Sequence, residues 1–145
     1  MSVYPTEEVL SLVRLLLLET SGVSSIVEDR ITGPFGDRTG AVEGEDLYPR
    51  VVVDLVGGGG YGFGGLQAPL LHVYAYSRTS QGDAHHLFDA IRPALRRARL
   101  SREGVTVKGS IQEVDSPTTG WNPQTGAWFT RGSYRVMATA LPASA

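Results

Sequence analysis

The sequence predicts an α+β domain: a mostly antiparallel sheet of four strands or slightly more, two main helices packed on one face, and long glycine-rich loops. Two observations about period and one about order predict it. Residues 48–56, 70–77, 105–114 and 127–141 alternate with the strand period of two. Residues 7–20 and 81–100 place their apolar side chains at helical spacing. The order is helix, loop, strand, strand, helix, strand, strand, so the strands pair as two hairpins with the second helix between them. With 145 residues the chain reads as one domain, residues 1–145. A domain of that length buries about 70% of its unfolded surface, enough for a core without metal or disulfides.

The first helix is expected to take Thr6 as N-cap and to carry Glu7 and Glu8 in its first turn, where the helix dipole favours negative charge. It should run to about Thr20, with Gly22 just past its end. Val9, Leu10, Leu12, Val13 and Leu15 to Leu18 cover more than one stripe. Such a helix is either buried on several sides of the core or offers one side to a neighbouring subunit. Its apolar run is about half the length that crosses a bilayer and contains Arg14, so no membrane partner is expected. No positively charged stretch precedes it as in a secretory signal.

Ile26, Val27 and Ile31 suggest a short extended segment. Gly33 to Asp46 has no surviving period and reads as a long loop. Tyr48 to Val56 is the first clear strand, with Pro49 at its start, where a missing N–H does least harm. Val51, Val53 and Leu55 share one face; Arg50, Val52, Asp54 and Val56 share the other.

Gly57 to Gly65 contains two overlapping G-x-G-x-x-G matches. A phosphate site would need a helix to start directly after them, and a strand follows instead. The stretch therefore reads as a hairpin loop carrying two aromatics, Tyr61 and Phe63. In the next strand Leu71, Val73 and Ala75 oppose His72, Tyr74 and Tyr76.

The second helix starts at a capping-box-like pair, Ser80 and Asp83. Ala84, Leu87, Phe88, Ile91, Leu95 and Ala98 form its apolar stripe. Pro93 should kink or break it near Arg92. Its end is basic, with Arg92, Arg96, Arg97, Arg99 and Arg102. That charge suits a helix C-terminus and also suits an acidic partner or passing DNA. Val105 to Val114 and Ala127 to Leu141 form a long hairpin around a turn-rich loop, Asp115 to Thr125. Tyr134, Val136 and Ala138 point inward, and the tail after Leu141 frays.

Little here points to chemistry. The chain lacks H-E-x-x-H, G-x-S-x-G and C-x-x-C, and it has no cysteine at all, which removes thiolate metal sites and cysteine nucleophiles. His85 and His86 are adjacent and cannot share one metal. No catalytic, cofactor-binding or metal-ligating residue is assigned, and the chain is read as a non-enzyme. A small enzyme would have to use His72 with Asp54 or a loop carboxylate. A net charge of −2 argues against a general nucleic-acid binder. A DNA-binding module would have to rely on Arg92 to Arg102.

Several stretches resemble the tail terminators, the tail-completion proteins of long-tailed phages and gene transfer agents. They are the leucine-rich first helix followed by Arg30-Ile31, and the proline-led strand Tyr48-Pro49-Arg50-Val51-Val52-Val53. The others are the strand-to-helix unit Leu71 to Leu95, and Trp121-Asn122-Pro123-Gln124-Thr125-Gly126 leading into a last strand with Arg131 and Tyr134. The resemblance spans about Glu7 to Ala140; Gly33 to Asp46 and Gly57 to Gly65 are longer and richer in glycine than the family pattern.

It implies a structural virion protein: a homo-oligomeric ring, typically a hexamer, that caps the tail tube, stops its polymerisation and joins the tail to the head-side connector or stopper. DNA passes through the lumen without specific binding. The implied location is the tail or neck of the virion, after assembly in the host cytoplasm. Another neck protein, a head-completion or connector-adaptor component, is the alternative. On the ring reading the expected interface residues are Tyr61, Phe63, Arg92, Arg96, Arg99, Trp121 and Trp128, since aromatics and arginines dominate interface energetics. Trp128 reads equally well as core.

Overall fold

A computed structural model of the protein describes residues 5–32, 48–57, 66–67, 70–96, 99–100 and 107–140. The helices among them are α1 (Pro5–Glu19), α2 (Ser21–Val27) and α3 (Gln81–Leu95). The strands are β1 (Ile31–Thr32), β2 (Arg50–Gly57), β3 (Leu66–Gln67), β4 (Leu70–Ser77), β5 (Arg99–Leu100), β6 (Val107–Glu113), β7 (Thr118–Asn122) and β8 (Ala127–Ala140). The α+β class stands. The sheet is larger than four strands, and it is mixed because β1 runs parallel to β2.

The sheet order is β1-β2-β4-β8-β6-β5, with β3 and β7 also paired to β8. β8 organises it, because at 14 residues it is long enough to use each edge twice. Along one edge Trp128–Arg135 pair with β4 and Ala138–Thr139 with β3. Along the other, Ala127–Arg131 pair with β7 and Tyr134–Ala140 with β6. The stretch expected to be a plain loop, 115–125, thus contains β7. Thr118, Thr119 and Trp121 are strand formers. The tight turn from Asn122 closes on Gly126, whose φ of 66° suits glycine.

All three helices cover one face. Leu12, Val13 and Leu17 from α1, Val23 and Val27 from α2, and Leu87, Phe88, Ile91 and Leu95 from α3 join one buried cluster. The sheet contributes Val51, Val53, Leu71, Val73, Ala75, Ile111, Tyr134 and Val136, as the alternation predicts. Each such large side chain contributes roughly 1.5–3 kcal/mol by leaving water. Helix and sheet approach each other closely at Gly132. A Cβ there would overlap the Phe88 ring and lie 2.9 Å from Tyr134 Cε2.

Three local expectations need correction. Pro5, not a Thr6 cap, opens α1; proline suits the first turn because its missing N–H has no intrahelical partner there. Ile26 and Val27 are helical rather than extended, and Gly22 lies inside α2: the chain restarts a helix at Ser21. Burying Val23 and Val27 on a helical period explains this. Pro93 does not break α3, which runs on to Leu95. So near the end the proline forfeits one hydrogen bond, while Leu95 stays fully buried and the Arg96 N–H still donates to Arg92 O at 2.9 Å. The Ser80 cap is present: the Asp83 N–H donates to Ser80 Oγ at 3.0 Å.

Candidate assembly surfaces

The face of the sheet away from the helices gathers aromatic and arginine side chains from three strands. Register places Arg50, Tyr76 and Phe129 in one row, Val52, Tyr74 and Arg131 in the next, and Asp54, His72 and Ser133 in a third. Tyr74 and Tyr76 stack at 5.7 Å, and Phe129 meets Tyr74 edge-on at 5.7 Å. Tyr48 sits edge-on to Tyr76 at 6.3 Å. Arg78 lies 4.5 Å over the Tyr48 ring, a cation–π distance, and donates from Nη2 to Thr125 O at 3.2 Å. The Phe129 ring lies over Gly120 of β7, where a Cβ would come within 2.8 Å of it.

Along any single strand no basic-and-aromatic ladder is visible. The ladder runs across β2, β4 and β8, so it becomes visible only once register is known. The alternation in β4 was legible; its pairing with residues more than 50 positions later was not.

Several arginines hold the framework. Arg14 Nε donates to Ile31 O at 2.7 Å, and Arg30 Nε to Pro49 O at 2.9 Å, so both clamp the β1 edge. Arg50 is 4% exposed and donates to Thr32 Oγ1 at 2.6 Å.

At the other edge Arg92 makes a bidentate pair with Glu113, Nε to Oε1 and Nη2 to Oε2, both at 2.8 Å. This ties the last turns of α3 to β6. The Glu113 carboxylate holds the Arg92 guanidinium in its charged form, first by hydrogen bonding and then by its charge. Burial, and after it the same carboxylate, pushes the Tyr134 phenol above its ordinary value. Arg96, one turn on, is exposed. Asp89, Arg92, Pro93 and Arg96 line a shallow depression of about 450 Å³. A second, of about 280 Å³, continues from Arg96 to Ile111, Gln112 and Glu113.

Trp121 and Trp128 face each other across the β7–β8 hairpin, with ring centroids 4.9 Å apart. Trp121 is 48% exposed, and Trp128 is half-buried beside Ser77 in register. Trp128 precedes Tyr134 by six residues on β8, about 20 Å along a strand. The tryptophans and the Arg92–Arg96 edge are therefore separate surfaces. Arg99 lies in β5, next to that edge. Tyr61, Phe63 and residues 33–46 and 58–65 of the glycine-rich loops lie outside the described residues.

His72 stands opposite Asp54 in register, but its Nδ1 is buried without a hydrogen-bond partner among the described residues. Burial, then the nearby Arg131, holds its pKa below the ordinary 6.5, against a smaller pull from Asp54 and Asp115. Among the described residues no group of three acidic or histidine side chains could hold a metal ion. None of the described helices is long and apolar enough to cross a membrane.

No family model matches the sequence, and no curated protein matches it. Among solved structures, the fold matches a chain in the virion of a native gene transfer agent particle. The TM-score is 0.70, over 96% of this chain and 100% of that chain, at 12% identity. At that identity the likeness shows the fold: this chain has the fold of a protein built into a gene transfer agent virion.

Proposed function

We propose that the protein is a structural component of a phage-like virion, a tail terminator that caps the tail tube as a homo-oligomeric ring. The observation that carries this reading is end-to-end fold likeness to a chain of a gene transfer agent virion. A scaffold of this kind works by presenting surfaces, and three features support that reading. They are an arginine–aromatic sheet face, a hairpin with an exposed tryptophan, and a basic edge at the end of α3. On this reading the partners are further copies of the chain, the tail tube protein and the head-side connector, and DNA passes through the lumen.

Deleting the gene from the producing particle tests the role. Tails of uncontrolled length fit a terminator. Tails of normal length with heads that leak or fail to join fit a head-completion or connector component instead.

A further inference from the structure

The sheet face away from the helices holds two arginines that the described residues leave without an acidic partner. Arg131 lies beside Tyr74 in register and is half-buried. Its Nε is buried without a hydrogen-bond partner, and no ion pair among the described residues uses its guanidinium. A buried charged donor left unsatisfied costs free energy, which a ligand that accepts from it relieves. Arg78 is exposed where β4 ends; it lies over the Tyr48 ring and donates to a carbonyl, Thr125 O. Tyr48, Pro49, Arg78 and Thr79 line a depression of about 280 Å³ there. In the three rows of this face the one carboxylate is Asp54, opposite His72.

The rings between the two arginines are engaged with one another. Tyr74 stacks on Tyr76 on one side and meets His72 edge-on at 6.1 Å on the other. Tyr76 meets Tyr48, whose ring carries Arg78. A protein partner anchors by filling desolvated pockets, and a single strand binds by stacking its bases on open ring faces. A closed array of rings offers little to either. It leaves donors, the guanidinium groups of Arg131 and Arg78 and the hydroxyls of Tyr74 and Tyr48, which suit anionic oxygens. Arg78 follows Tyr74 by four residues, about 13 Å along a strand. The major groove of a DNA duplex is about 12 Å wide, so two arginines at that spacing can reach phosphates on its two sides.

We infer that this face binds the phosphate backbone of double-stranded DNA through Arg131 and Arg78, without reading its sequence. Phosphate contacts position a duplex and carry no sequence information. The chain as a whole carries a net charge of −2, so the contact is confined to this face and weakens as salt rises. The inference is independent of the ring reading, because it concerns one chain and is tested on one chain.

The test measures the anisotropy of a labelled short DNA duplex of arbitrary sequence, titrated with the full chain at several salt concentrations. Binding is expected at low salt, with log affinity falling linearly against log salt. Arg131→Gln and Arg78→Gln should each weaken it several-fold and reduce that slope by about one, as loss of one phosphate contact does. Arg131→Lys keeps the charge and should keep the slope. Arg96→Gln, at the end of α3, should leave the slope unchanged. Circular dichroism checks that each variant is folded.

Absence of duplex binding at low salt overturns the inference. So does a slope unchanged by the two sheet-face variants, or one lowered by Arg96→Gln alone, which assigns DNA to the helix end. Binding of poly-glutamate in place of the duplex assigns the face to an acidic protein. Tighter binding of a single strand than of the duplex, lost in Tyr74→Leu, assigns it to stacked bases. Self-association lost in the arginine variants with duplex binding intact assigns it to a second copy. Each of these three results also overturns the duplex contact.

Discussion

The Phe88 ring lies against the backbone of Gly132, and that contact sets how closely α3 sits on β8. Both residues are buried. Gly132→Ala should therefore destabilise the fold by about 1–3 kcal/mol through overpacking, although alanine is the milder residue in an ordinary strand. Chemical denaturation gives the number. Pairing it with Phe88→Leu should recover part of the loss, and additive effects would count against direct contact.

Tyr134 is fully buried, yet its hydroxyl reaches Glu113 Oε1 only at 3.5 Å, the outer limit of a hydrogen bond. Tyr134→Phe should change stability by less than about 1 kcal/mol, because it keeps the packing and removes a poor bond. Tyr134→Ala should cost about 3–5 kcal/mol. Similar losses in the two variants would show that the hydroxyl matters more than the ring.

The folded state favours neutral His72, because burial and Arg131 lower its pKa. Between that lowered value and 6.5 the unfolded chain binds more protons, so stability rises with pH through the window. The contribution is complete above 6.5 and is lost as pH falls toward the folded value. His72→Gln should flatten this part of the stability profile. NMR titration of Arg131→Gln should show the His72 pKa moving up, since a neighbouring cation is gone; an unchanged pKa would remove Arg131 from the account.

Trp121 is exposed on the β7–β8 hairpin and Trp128 is half-buried beneath it. Trp121→Ala should leave the thermal midpoint within a few degrees of wild type and weaken assembly. Trp128→Ala should lower the midpoint as well. Tryptophan fluorescence should shift to the blue on ring formation; no shift would place the hairpin outside the interface.

Much of the framework was legible because burial imposes periods on sequence. The inward set Leu71, Val73, Ala75 and the stripe Ala84, Leu87, Phe88, Ile91, Leu95 are buried as their spacing predicts. What was hidden depends on partners far along the chain. Thr118 to Asn122 reads in sequence as part of a loop, since its pattern is short, and the strand it forms is half-exposed. It is a strand because β8 is long enough to offer it an edge. The row Arg50, Tyr76, Phe129 is likewise a property of register. Arg92 was legible as a basic helix end, but not its pairing with Glu113, 21 residues on. A side chain's chemistry is written locally; whether it faces a partner in the fold or in an assembly is not.

The proposed role is to cap a tail tube as a ring. Negative-stain imaging of tail tubes polymerised with and without the purified protein tests it most directly. The expected result is a closed ring of copies at one tube end and arrest of tube growth. Tubes that elongate unchanged, with the protein remaining monomeric and absent from their ends, would contradict it.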